Sequence, residues 1–179
     1  MIFELKLGEN FRIKAQLVGG GHTTTAPSSI TYSYVVSRDS VQITLSISAL
    51  NGLEIFAYDI QNPYLTEKYR DLIWTTAGPK FSLEEGSIMV IKMDLYGLKS
   101  SGSALRSKLA SLLHNIGYTP SKADPNAWMI PAIKSDRMEH YKYALVYIDD
   151  VLCIDESPKH IIAHIVELFR IKEGIDEET

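Results

Sequence analysis

The chain of 179 residues holds a single cysteine, Cys153. No internal disulfide can form, and a zinc site built on several thiolates is excluded. Set inside an apolar stretch, that thiol reads as a small buried hydrophobe. No run approaches the roughly 18 apolar residues that a membrane-spanning helix needs. The start, Met1-Ile2-Phe3-Glu4-Leu5-Lys6-Leu7, lacks the basic-then-apolar order of a signal peptide. The expectation is a soluble, intracellular protein with no membrane partner. Positive charge is scarce as well, with 18 Lys and Arg against 22 Asp and Glu for a net charge of −4. Such a balance does not let a protein grip a polyanion unaided, so any nucleic-acid contact must be local or shared. Part of the acidity is Glu173, Asp176, Glu177 and Glu178, expected to form a solvated tail over 174–179. Internal repeats and low-complexity segments are lacking too.

What is present suffices for one hydrophobic core, since 45% of the residues are hydrophobic. Phe3, Leu5 and Leu7 alternate with Glu4 and Lys6, and Phe11, Ile13, Ala15 and Leu17 with Arg12, Lys14 and Gln16. Two strands joined by Gly8-Glu9-Asn10 give that pattern. Gly19-Gly20-Gly21-His22 to Pro27-Ser28-Ser29 is expected to cross irregularly. Ser37 is a helix N-cap with Asp39 in the first turn, and Val41, Leu45, Ile47, Ala49 and Leu50 follow at roughly helical spacing before Gly52 stops the helix. A strand over Leu53 to Tyr58 delivers Asp59 at its end, and Ile88-Met89-Val90-Ile91 forms a short strand. A second helix runs from about Ser101 to Ile116, with a leucine stripe inward and Gly117 as its stop. Ser157-Pro158 opens a third, with Ile161, Ile165, Leu168 and Phe169 inward. From Leu53 the order is strand, helix, strand, strand, helix, most of a split βαβ arrangement and so an α+β fold with helices on one face of an antiparallel sheet.

Between the last two strands, Ala144-Leu145-Val146-Tyr147-Ile148-Asp149-Asp150-Val151-Leu152-Cys153-Ile154 is apolar except for two adjacent carboxylates. A tight hairpin ordinarily places glycine where φ is positive. Here the expected turn is Asp149-Asp150, two like charges between apolar strands. A divalent cation would neutralise them; an ordinary acidic turn at the solvent end of a hairpin accounts for them as well. Asp59, at a strand end, is either a third ligand or a plain turn residue. Oxygen-only ligands on strand ends suit Mg²⁺, in the geometry of two-metal phosphoryl transfer.

Tyr147-Ile148-Asp149-Asp150 resembles the Tyr-x-Asp-Asp box of reverse transcriptases, and three further motifs narrow the resemblance to copia-type retrotransposon polymerases. Asp59-Ile60-Gln61-Asn62-Pro63-Tyr64-Leu65 is similar to that family's Asp-x-x-Asn-Ala-[Tyr/Phe]-Leu. Leu95-Tyr96-Gly97-Leu98-Lys99-Ser100-Ser101-Gly102 is similar to its Leu-Tyr-Gly-Leu-Lys-Gln-Ser/Ala, and Lys14-Ala15-Gln16-Leu17-Val18 to its Lys-Ala-Arg-Leu-Val.

The resemblance covers about 1–173 and implies a polymerase palm, with a ferredoxin- or RRM-like sheet, at about 31–66 and 101–173. It implies partial fingers at about 1–30 and 67–100. By it, Asp59, Asp149 and Asp150 hold two Mg²⁺ ions, with Mn²⁺ able to substitute. A primer 3′-hydroxyl on an RNA or DNA template then attacks the α-phosphate of a dNTP. Tyr64 falls under the nucleotide sugar, Tyr147 near the primer terminus, and Tyr96, Gly97 and Lys99 line the floor. Each also has a plainer reading: core packing for the tyrosines, a turn for Gly97 and a solvated charge for Lys99. Lys14 and position 16 face the triphosphate.

The resemblance further implies a thumb and a ribonuclease H part of a parent polyprotein, outside this sequence, and a setting in cytoplasmic element particles or the nucleus. Four positions depart from the pattern. Gln16 stands where the family has arginine, Pro63 where it has alanine, Asp94 where a small residue is usual and Leu105 where an aromatic is common. A neutral amide gives weaker phosphate bonds than a guanidinium fork, and proline has no N–H to offer. Two other readings stand beside the polymerase: a catalytically inactive remnant, and an RRM-like module using Tyr58 and Tyr147 to bind RNA.

Overall fold

The computed structural model describes residues 2–6, 12–21, 31, 33–66 and 68–171. The joint Gly8-Glu9-Asn10, the segment from His22 to Ser29 and the acidic tail lie outside the described residues. The protein is mixed α and β, with antiparallel sheets and three helices among the described residues. It divides into two compact units, 1–32 with 64–104 and 33–63 with 105–179. No helix of the described residues is long and apolar enough to cross a membrane.

In the first unit, β1 (Ile2–Lys6) and β2 (Arg12–Gln16) pair antiparallel, as their alternation predicts, with Glu4 opposite Lys14 and Ile2 opposite Gln16. The stretch after Ile60, which shows little periodicity, holds a second hairpin. Its strands are β4 (Lys68–Thr76) and β5 (Ile88–Met93), with Trp74 opposite Val90. A 3₁₀ turn, Pro63–Thr66, precedes it. The glycines around position 20 pack backbone against backbone. Gly19 N–H donates to Tyr96 O at 2.6 Å, and a Cβ on Gly21 would run into the Gly97 carbonyl. Gly97 itself has φ +85, and a Cβ there would strike Val18 Cγ1 at 2.6 Å, so both the angle and the space demand glycine.

The second unit is built on a six-stranded sheet. In chain order its strands are β3 (Glu54–Gln61), β6 (Thr119–Pro120), β7 (Ala127–Ile133), β8 (Glu139–Tyr147), β9 (Asp150–Asp155) and β10 (Arg170–Ile171). In space they run β10-β3-β9-β8-β7-β6, every pairing antiparallel. Helix α1 (Arg38–Asn51) begins where Ser37 Oγ accepts the Ser40 N–H and ends at Gly52 with φ 59, both as the sequence predicts. Its buried side is not simply its most apolar one. Thr44 and Ser48 are inside, while Leu45, Ala49 and Leu50 are exposed, Leu50 by 87%. Hydroxyls can go inside because each finds a carbonyl, Thr44 Oγ1 donating to Ser40 O at 2.7 Å and Ser48 Oγ to Leu53 O at 3.0 Å.

Val41 and Ile47 of α1 pack with Val36 and Leu53 on the sheet face that carries Ala127, Tyr143, Leu145, Leu152 and Ile154. The other face, with Trp128, Ala144, Val146, Val151 and Cys153, is buried too. Helix α2 (Ser101–Asn115) buries Leu105, Leu109, Leu112 and Leu113, and Gly117 follows at φ 94. Helix α3 spans Lys159–Leu168 and buries Ile161 and Ile165, with Phe169 after it. Pro158 occupies the cap position, without a side-chain cap bond, where it was expected one place inside; Leu168 is exposed rather than inward. Lys108 Nζ lies 5.2 Å above the Phe169 ring, which joins α2 to the end of α3.

Candidate functional site

Strand β9 is central, paired with β3 on one side and β8 on the other, and it places one row of side chains across three strands. Asp150 is directly opposite Asp59 on β3 and directly opposite Tyr147 on β8. Directly opposite residues share a face, with Cβ atoms about 5 Å apart. Strand β3 runs two residues past Asp59, to Gln61, so this carboxylate sits inside the ladder instead of at its end. Asp149 is brought to the same place by the main chain, its carbonyl accepting the Ile60 N–H at 2.9 Å.

The hairpin turn is displaced by one residue from its expected position. Its two central residues are Ile148 and Asp149, and Asp150 already belongs to β9. Ile148 has φ 54, and Asp149 is not among the positive-φ residues. Positive φ at the first central residue alone is the pattern of a II′ turn, which favours glycine there. A β-branched side chain at this angle carries strain of about 1–3 kcal/mol, and strain of this kind gathers at functional sites. The sequence signal was available in the absence of any glycine from the turn.

The electrostatics of the tip are unfavourable as they stand. Asp150 is solvent-exposed, but the desolvation it does undergo, followed by the charge of neighbouring Asp149, holds its carboxyl above the usual range. A bound cation would reverse both effects. The donor set is hard oxygen, which fits Mg²⁺, an ion that takes one or two carboxylates and completes its shell with water and phosphate. Among the described residues no group of three or more His, Cys, Asp or Glu side chains is placed so that it could hold a metal ion, so Asp59, Asp149 and Asp150 do not form a ready-made ligand set. Tyr147 is 51% exposed, so it is a surface aromatic beside the carboxylates, not core.

Of the remaining residues singled out from the sequence, Tyr64, Tyr96, Gly97, Lys99, Lys14, Gln16 and Asp94 belong to the first unit, and Pro63 and Leu105 to the second. Tyr64 and Tyr96 meet edge to face, with ring centroids 4.6 Å apart and planes at 87°. Gly97 follows at the glycine crossing, and Lys99 is half-buried. Lys14 and Gln16 lie on β2. Of the departing positions, Pro63 is buried and follows Asn62 at φ 47. Asp94 is buried and accepts from Ser101 Oγ at 3.1 Å, and Leu105 is core.

Two buried carboxylates of the second unit escaped notice in the sequence. Asp124 accepts from Ser37 N–H at 2.8 Å, Ser40 Oγ at 2.7 Å and Asn126 N–H at 2.9 Å, tying the start of α1 to the loop before β7. These bonds outweigh its desolvation and hold its carboxyl below the usual range. Asp155, 5% exposed, meets Lys142 Nζ at 2.8 Å and His140 Nε2 at 3.2 Å and accepts the Glu156 N–H at 2.7 Å. Its carboxyl is likewise lowered, the bonds from Lys142 and His140 overcoming burial.

Residues 2–172 match the family described as reverse transcriptase (RNA-dependent DNA polymerase). A stretch of 151 residues, 82% of this chain, is 28% identical to the retrovirus-related Pol polyprotein from transposon RE1 of Arabidopsis thaliana. The chain spans 10% of the length of that relative. No solved structure matches.

Proposed function

This chain belongs to the reverse transcriptase (RNA-dependent DNA polymerase) family, in its copia-type retrotransposon branch, and from that premise we propose that it carries the nucleotidyl-transfer site of such an enzyme. The observation that supports this reading is the pairing of Asp59 with Asp150 across β3 and β9, with Asp149 in the adjoining turn. In it, Asp59, Asp149 and Asp150 would hold two Mg²⁺ ions, for which Mn²⁺ could substitute. When bound, the ions supply charge neutralisation at the triphosphate and acidify the primer 3′-hydroxyl.

The chain's own groups do the rest. Asp59 and Asp150 share one sheet face, Asp149 would join them from the turn, and Tyr147 offers an exposed ring on which a primer-terminal nucleotide can rest. The second unit, with its split βαβ strand order, acts as the palm, and the first as part of the fingers. There Tyr64, backed edge-on by Tyr96, excludes a 2′-hydroxyl and selects deoxyribonucleotides. Gly97 and Lys99 line the floor, and Lys14 and Gln16 meet the triphosphate. The 3′-hydroxyl loses its proton to solvent, its oxygen forms a bond to the α-phosphorus of the dNTP, the bond from that phosphorus to the bridging oxygen of the β-phosphate breaks and pyrophosphate leaves; the template is RNA or DNA.

Primer extension on RNA with Mg²⁺ or Mn²⁺ tests the proposal: extension by the native chain and its abolition in Asp149→Asn are expected. No extension at high enzyme and nucleotide concentration rejects it. A second reading, a folded remnant that no longer polymerises, is favoured by Gln16 and Pro63, which withhold a guanidinium and an N–H from the nucleotide. Charge-assisted bonds contribute about 1.5–3 kcal/mol each, so Gln16→Arg should tighten dNTP binding about ten- to hundred-fold. An inert but cation-binding protein after reversion at both positions supports the remnant.

A further inference from the structure

The β8–β9 hairpin has a register problem that its hydrophobic pattern does not solve. Ala144, Leu145 and Val146, and Val151, Cys153 and Ile154, are all buried, so both faces are apolar and the pattern specifies register weakly. Turn chemistry favours a different hairpin. With Asp149 and Asp150 as the two turn residues, Ile148 would pair with Val151 and lose its positive φ, and the turn would fall on aspartates, which tolerate that angle better. In that hairpin Asp150 leaves the ladder, and Asp59 loses the carboxylate opposite it.

The base of the hairpin decides against it. The observed pairing of Tyr143 with Ile154 continues to Lys142 opposite Asp155, where the two make a 2.8 Å ion pair, and His140 reaches the other carboxylate oxygen from one diagonal position further. In the alternative hairpin Asp155 faces Ala144, which is fully buried and offers nothing. Lys142 becomes at best a diagonal neighbour, and His140 moves out of reach with its ring still inside the protein. An apolar interior penalises a carboxylate so stripped of partners. Glu54, directly opposite Asp155 on β3, adds like charge and cannot replace them.

We infer that Asp155, with Lys142 and His140, is a register lock: a positioning group at the far end of β9 that forces the strained Ile148 turn and so sets Asp150 opposite Asp59. This rests on the proposed reading of Asp59 and Asp150 as cation ligands. The lock and the ligand role are separately measurable, the first by cross-strand nuclear Overhauser contacts and the second by Mn²⁺ titration with paramagnetic broadening at Asp59 and Asp150.

In Asp155→Val the contact of Tyr147 with Asp150 should give way to one of Ile148 with Val151, and Mn²⁺ affinity should fall at least tenfold. Adding Ile148→Gly, which relieves the turn, should restore both. Asp155→Lys combined with Lys142→Asp keeps an opposite pair at the same rung and should keep both as well. Folded Asp155→Val with its native contacts and affinity intact overturns the lock, and so does a folded charge-swapped protein that adopts the slipped hairpin. Native contacts in the unaltered protein without Mn²⁺ broadening, together with slippage in Asp155→Val, uphold the lock and refute the ligand role.

Discussion

Asp150 and Asp155 stand at opposite ends of one six-residue strand, and their surroundings push them in opposite directions. At the tip, Asp150 has a like charge beside it, a strained turn before it and a carboxyl held above the usual range. At the base, Asp155 is more deeply buried and yet more acidic, because a lysine, a histidine and a main-chain N–H converge on it. Burial alone would raise both. What separates them is that the charge at the base is balanced within the protein, while the tip carries two like charges side by side.

The largest effect expected from that contrast is on folding. Asp155→Ala leaves Lys142 and the buried His140 unpaired and should cost on the order of 3 kcal/mol, whereas Asp150→Ala removes a repulsion and should cost little; urea unfolding of the two variants compares them directly. Acid titration separates them next. Asp155 and Asp124 are held below the ordinary 3.8, so their contribution is present above that value and is lost as pH falls from it through their folded-state values. Asp150 is raised, so its contribution is present below 3.8 and fades as pH rises through its folded-state value. Urea midpoints between about pH 2.5 and 6 should show a shallower acid-side fall in Asp155→Asn, and loss of a small opposing trend in Asp150→Asn.

A smaller gain, about 1 kcal/mol, is expected from Ile148→Gly, which removes strain at the tip at some cost in chain entropy. An unchanged melting temperature would mean that the tip stores no strain. The smallest effect belongs to Leu50, whose replacement by lysine should leave stability within about 0.5 kcal/mol, in contrast with Leu113→Ala in the core of α2, at about 2–5 kcal/mol. At the middle of β9, burial pushes the Cys153 thiol up to about 12. It should resist alkylation in the native protein at neutral pH and react only after unfolding.

The sequence carried the ends of α1 plainly, since Ser37 and Gly52 have local jobs that any helix of this kind assigns. It carried the leucine stripe of α2 and the alternation of β1 and β2 for the same reason. The inward face of α1 is not legible from hydropathy, which counts Thr44 and Ser48 as polar, whereas Ser40 O and Leu53 O satisfy their hydroxyls. The β4–β5 hairpin was missed because its sequence neither alternates cleanly nor carries a tight-turn pair. At the candidate site motif and order single out three aspartates, of which the structure sets Asp59 opposite Asp150 with Asp149 in the adjoining turn, but the turn falls one residue earlier than local chemistry suggests. Local turn chemistry does favour Asp149-Asp150, and pairing partners far along the strands override it.

Both strands of the β8–β9 hairpin are bonded along both edges, β8 between β7 and β9 and β9 between β8 and β3, and this bears on how fast the site can rearrange. Amides between Val151 and Ile154 can exchange with solvent only if a neighbour on one side lets go, so they should be among the slowest to take up deuterium, while those of the Ile148-Asp149 turn exchange early. The Asp150 end of the strand thus hinges on its least mobile segment. Asp59 and Asp150 would move as one rung, and any adjustment to a passing substrate would fall to the turn.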